Sequence, residues 1–320
     1  MRLFKMILAL GFFVLLISCE EDFEVKSELE QGYVLTCIIR GDSNYHVATL
    51  SRTYNQFGIT PWQDATDKAI KGAKIILNQR NIEYEFLEGF KARKDTARYK
   101  FPVSYYYLEN FEPEREQIIE ITAELEGGTV LKAETQIPKS PTFNLSESDT
   151  KIPSEDESEI LVFWDYDFVD ILFDPRINII YYKKEAGEFV QHIKQVPLGF
   201  QSIDGTEVEY YSSPTFQHSV EFNISVFDKA MKEISGDDPD KENYYISNTF
   251  IQLYTYDKNL SSYFITSNYL DPYSIRLDEI DGSNVDGGYG IFGSFLYQEY
   301  EMSITASYIR SFGYVPFIKP

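Results

Sequence analysis

Two cysteines and three histidines leave this chain of 320 residues little with which to build cross-links or soft-metal sites. His46, His192 and His218 stand far apart. There is no His-Glu-x-x-His, no Gly-x-Ser-x-Gly and no glycine loop ending in Gly-Lys-Ser/Thr, so the familiar zinc, serine-hydrolase and phosphate-loop chemistries have no local signature. Basic residues are scarce as well. With 29 Lys and Arg against 51 Asp and Glu, the net charge is −22. A surface so acidic repels nucleic acid and offers no electrostatic help at anionic headgroups, so membrane attachment has to come from lipid. Long apolar runs are missing too, apart from residues 6–17, a stretch too short to cross a bilayer as a helix.

That one run is informative. Arg2 and Lys5 precede it and Leu16, Ile17, Ser18 and Cys19 follow it. A basic start, a short apolar centre and a small residue before the cut describe a secretory signal. The cysteine just past the cut makes it a lipoprotein signal over residues 1–18, with Cys19 acylated (palmitate among its chains) as the new N-terminus. Cys37 is then the one thiol left, so no intrachain disulfide can form. Lying in an apolar run, it reads as a small core residue. Glu20, Glu21, Asp22 and Glu24 open an acidic tether over residues 19–31.

What the chain has in quantity is aromatic side chains, 25 Tyr and 24 Phe, and period-two alternation. Leu35, Cys37 and Ile39 share one face. Ile119, Ile121, Ala123 and Leu125 alternate with Glu120, Thr122 and Glu124. Such patterns describe strands with one dry and one wet side. Their turn-rich connections predict an Ig-like or transthyretin-like antiparallel β-sandwich over residues 32–143. Residues 144–159 are acidic and interrupted by Pro153, and read as a solvated linker. Strands resume in a second β-rich domain over residues 160–320. Val220, Phe222, Ile224 and Val226 suggest one strand. Asp257 is placed to cap a helix carrying Leu260, Tyr263, Phe264, Ser267 and Leu270, and a shorter helix is expected from Asp228. The predicted class is mainly β with one or two short helices.

Three features invite a functional reading. Tyr105, Tyr106 and Tyr107, beside Pro102, suggest a loop edge presenting rings to a ligand or partner. Gly287, Gly288, Gly290 and Gly293 imitate a dinucleotide fingerprint. However, an acidic loop precedes them and an alternating segment follows, so they read as a structural loop with Ile291 and Phe292 inserted into the core. Asp278, Asp281 and Asp286 offer hard oxygen ligands for calcium. Their spacing does not fit a twelve-residue calcium loop, and Asp beside Gly is ordinary turn chemistry. No cofactor other than this calcium is suggested.

Taken together, the chain resembles a Bacteroidota lipoprotein family labelled domain of unknown function 4249. The resemblance runs through residues 33–40, through His46, Val47, Ala48, Thr49, Leu50, Ser51 and Arg52, through Lys71, Gly72, Ala73, Lys74 and Ile75, and above all through residues 284–293. It implies an outer-membrane or cell-surface lipoprotein whose gene tends to sit beside that of a TonB-dependent transporter, and it supplies no catalytic residues. The expectation is therefore a non-enzymatic, lipid-anchored accessory protein that docks on an outer-membrane β-barrel transporter or presents ligand to it. The alternatives are a stand-alone glycan- or peptide-binding module and an adhesion or scaffold protein.

Overall fold

Alternation of apolar and polar residues builds the first half. The computed structural model describes residues 32–53, 66–145, 151–153, 159–268 and 282–317. In it, strands β1 (Tyr33–Arg40), β2 (Tyr45–Arg52), β3 (Lys74–Gln79), β4 (Ile82–Glu85), β5 (Leu87–Lys91), β6 (Val103–Glu109), β7 (Ile118–Glu124) and β8 (Val130–Gln136) form two facing layers. One layer runs β4-β3-β7-β8, and the other contains β1-β2-β6-β5. Leu35, Cys37 and Ile39 meet Ile119, Ile121 and Ala123 between the layers, all essentially inaccessible. Fully burying a side chain the size of Leu or Ile contributes about 1.5–3 kcal/mol. Cys37 is a packing residue as the sequence expects, and burial pushes its thiol pKa well above the usual range.

The second half continues with β9 (Thr142–Phe143), β10 (Lys151–Ile152), β11 (Glu159–Asp165), β12 (Phe173–Glu185), β13 (Glu188–Val196), β14 (Gly199–Ile203), β15 (Thr206–Tyr210), β16 (Ser219–Asn223), β17 (Tyr244–Tyr256), β18 (Tyr289–Ile304) and β19 (Val315–Pro316). Its core gathers Trp164, Phe173, Ile177, Phe222, Phe227, Met231, Leu253 and Met302. Helices α1 (Ile224–Glu233), α2 (Lys258–Asn268) and α3 (Ala306–Ser311) complete it. The class is thus mainly β, with three α-helices among the described residues.

Several local expectations need correction. The strand anticipated through Val226 ends at Asn223, whose side chain accepts from Ser225 N and caps α1. Ile224 and Val226 extend the period-two pattern by coincidence, whereas Val226, Phe227, Ala230 and Met231 form the buried stripe of a helix. Within the stretch 144–159, Lys151 and Ile152 pair in parallel with Ser303 and Ile304, and Ile152 is fully buried in the second core. An apolar side chain with a strand partner turned the middle of the expected linker into structure.

The largest departure is long β18. Residues 289–295 pair in parallel with β1, and residues 295–302 pair antiparallel with β17, so Phe295 faces both Arg40 and Tyr256. One ten-stranded sheet, with the main path β13-β12-β17-β18-β1-β2-β6-β5 and with β10 and β19 added beside β18 and β17, therefore runs through both halves. Val285 and Phe292, from the second half of the sequence, sit in the first core. The glycines that read as a loop are the entry to this shared strand. Gly290 adopts φ +125°, and a Cβ there would lie 1.9 Å from Leu35 O. Gly293 makes room for Leu260 of α2, whose Cγ would stand 2.5 Å from an added Cβ. Of the four glycines named, Gly287 and Gly290 have positive φ.

Candidate functional site

Between the two large cores, a small apolar cluster of Leu172, Tyr256, Leu260 and Ile291 adjoins a set of buried polar side chains. Asp257 precedes α2 and caps it as the sequence predicts, its Oδ1 accepting from Leu260 N at 2.8 Å. Its Oδ2 accepts from Thr135 Oγ1 of β8. Thr135 also lies 3.2 Å from Ser294 Oγ, which donates to Gln136 O at 2.9 Å. Asp257 is 4% exposed, and burial pushes its pKa up to about 6 against the pull of these hydrogen bonds. Beside this seam, Asn284 accepts from Phe292 N at 2.8 Å and donates to Phe292 O at 2.7 Å, and Asn259 donates to Glu134 O at 2.8 Å. These side chains stitch β8, α2 and β18 together.

A cleft of about 300 Å³ opens over the seam. Thr135 and Asp257 lie at its polar end, and Ile118, Ile171, Phe168 and Val169 form apolar walls. Phe168 and Val169 belong to the connection between β11 and β12 and are 52% and 83% exposed. Asp167 holds that connection to Lys139 through an ion pair, and Leu172 N is fixed by Ser261 Oγ at 2.9 Å. Tyr166, half-buried at the rim, has its pKa pushed up to about 12, chiefly by burial. Both oxygens of Asp257 are engaged, and the rest of the lining mixes these apolar side chains with the charged Glu116, Glu134, Lys139 and Lys258.

The tyrosine triplet is not a loop edge. It lies within β6, so its rings alternate. Tyr106 points inward, is 2% exposed, donates to Ile70 O at 2.9 Å and accepts from Ala73 N at 3.1 Å. That inward ring corrects the reading of three presented tyrosines. Tyr105 and Tyr107 face outward, their rings 6.0 Å apart, and Tyr107 stacks with Tyr45 at 6.1 Å. Gly89, on the neighbouring β5, leaves space for the pair, since a Cβ there would come within 3.1 Å of both rings. Tyr45 therefore belongs to the platform and Tyr106 does not. The cross-strand register that joins Tyr45 to this group carries no local sequence signal.

Cys19, Asp278 and Asp281 lie outside the described residues. Asp286, the remaining calcium candidate, pairs through its backbone with Lys132 at the edge of β8. Among the described residues no three His, Cys, Asp or Glu side chains group as metal ligands. The histidines remain dispersed. His46 is buried, with Nε2 3.1 Å from Phe111 O and its pKa lowered by burial. His192 stacks on Tyr181, and His218 packs edge-on against Phe173.

Fold and site together define a mainly β protein in which two sandwich-like cores share one sheet and enclose a cleft at their junction. The family model described as domain of unknown function (DUF4249) matches residues 20–301. The chain belongs to that family. No curated protein matches it.

Proposed function

We propose that this protein is a lipid-anchored component of the outer membrane, held through Cys19, that acts without catalysis by docking on an outer-membrane β-barrel transporter or presenting ligand to it. The observation that carries this reading is the seam cleft with its raised apolar lip. On a chain of net charge −22, Val169 is the most exposed large apolar side chain among the described residues, and it sits beside half-exposed Phe168 on a connection held by Asp167 and Leu172. Exposed apolar groups on a fixed support, rimmed by polar residues, are the usual anchors of protein interfaces. The test is co-purification of tagged protein from native membranes. Recovery of a β-barrel partner, lost when Val169→Asp is introduced, supports docking. Failure to recover any barrel with the unaltered protein refutes it.

A second reading draws on a different surface. The Tyr45, Tyr105 and Tyr107 platform offers flat amphipathic faces suited to sugar rings or extended peptide, which favours a stand-alone glycan- or peptide-binding module. Glycan binding lost in Tyr107→Ala and retained in Val169→Asp would favour this reading over docking.

A further inference from the structure

Charge is unevenly spread over this acidic chain. Residues 91–100 contain Lys91, Arg93, Lys94, Arg98 and Lys100 against the single acid Asp95. The segment is organised by its aromatic neighbours. The Arg93 guanidinium lies 4.9 Å from the Tyr99 ring centre and 5.3 Å from that of Phe101, and Arg93 Nε donates to Phe101 O at 3.0 Å. Arg98 covers Tyr99 at 4.9 Å. Interleaved cations and rings of this kind suit the zone between water and lipid, where rings sit at headgroup level and cations meet phosphate.

The position of the segment is as informative as its composition. Arg93, Tyr99 and Phe101 line the same concavity, of about 290 Å³, as Arg52 and Lys68. Arg52 pairs with Tyr33 at the start of β1, and Thr53 N donates to Gly32 O at 2.9 Å. Lys71 lines an adjoining concavity with Tyr33 and Arg52. Among the described residues lining these hollows the acids are Asp67, paired with Lys71 at 3.3 Å, and Glu126, and the tether adds Glu20, Glu21, Asp22 and Glu24. Arg93, Arg52, Lys68 and Lys71 thus lie beside the point at which the chain arriving from Cys19 enters the fold. Between Cys19 and Gly32 the chain reaches at most about 45 Å when fully extended.

We infer that residues 91–101, with Arg52, Lys68 and Lys71, form a membrane-facing surface that contacts phosphate-bearing lipid headgroups and orients the anchored protein. This rests on the reading of Cys19 as the anchor. The body as a whole is repelled by an anionic surface, whereas residues 91–100, with five cations against one acid, are attracted to it. The tether therefore brings the basic end in and turns the acidic remainder outward.

The test supplies the tether chemically. Protein beginning at Cys19 is coupled through that thiol to vesicles bearing maleimide lipid, since buried Cys37 stays unreactive. Trypsin cleavage within residues 91–100 is then timed on phosphatidylcholine vesicles with and without phosphatidylglycerol. Cleavage there slows about tenfold on the anionic vesicles, recovers in high salt and comes to within about twofold of neutral vesicles in the Arg93→Gln, Arg98→Gln variant. Cleavage at Lys183 and Lys184, in the remote hairpin of β12 and β13, stays the same on both surfaces. Equal or faster cleavage within residues 91–100 on anionic vesicles overturns the inference, as does protection that survives the double substitution. Chemical coupling makes this result independent of acylation in the cell. An unmodified Cys19 found by mass spectrometry would therefore refute the anchor without touching the lipid contact.

Discussion

Replacing Asp257 by Asn removes one proton-binding group and leaves the shape of the seam almost unchanged. Asn is itself a good helix cap. Its side-chain oxygen can keep the bond from Leu260 N, and its amide can donate to Thr135 Oγ1. In the native chain, burial pushes the Asp257 pKa up to about 6, against about 3.9 for an unfolded aspartate. The folded state therefore holds this proton more tightly than the unfolded state. Stability from the protonated carboxyl is present at the acid end and is lost as pH rises through the interval between the two values. A gap of about two pKa units corresponds to about 3 kcal/mol. The amide of the Asp257→Asn variant would stay neutral throughout, so the native protein should lose about 2–3 kcal/mol relative to that variant between pH 4 and pH 7. Urea unfolding of both proteins at several pH values, compared as a difference, cancels the other carboxylates. A stability difference that stays flat across this interval would refute the placement of Asp257 in a dry seam.

Other perturbations separate structural from surface roles. Gly290→Ala pushes a methyl group into Leu35 O at a φ of +125°, and a loss of about 3 kcal/mol or more is expected in denaturant unfolding. Gly128→Ala, at φ +87° with nothing within 4 Å, should cost about 1 kcal/mol by the same assay. Tyr106→Phe strips the hydroxyl from Ile70 O and Ala73 N. It should destabilise by about 1–3 kcal/mol while leaving any ligand binding at Tyr105 and Tyr107 intact, as titration of the folded variant would show. Val169→Asp, at a position 83% exposed, should change stability by no more than about 0.5 kcal/mol and abolish recovery of a membrane partner.

Local signals in the sequence carried far where neighbours in the chain are neighbours in space. Ile119, Ile121, Ala123 and Leu125 lie on the dry face that their spacing predicts, and Asp257 caps the helix that follows it. Reading failed where a distant segment decided. Of the run Gly287, Gly288, Gly290 and Gly293, the first two form the turn the sequence suggests, and Ile291 and Phe292 are buried as expected. Gly290 and Gly293, however, lie in a strand that pairs in parallel with β1, some 250 residues earlier. Three consecutive tyrosines beside a proline suggest an edge, but β2 and β5 flank β6 on both sides, and strand alternation turns Tyr106 to the core face. The seam cleft takes Ile118, Thr135, Val169 and Asp257 from four separate segments, so no spacing in the sequence announces it. The net charge misled in a similar way, since a total cannot reveal that residues 91–100 stand apart from the rest.

The docking claim is tested most directly by placing a photoreactive residue at Val169 and irradiating native membranes. A covalent adduct with a large outer-membrane β-barrel protein, absent when the same probe is placed at Lys184 of the remote hairpin, is the predicted result. Membranes in which the Val169 probe yields no barrel adduct, while the protein is shown to be present and folded, would contradict the account.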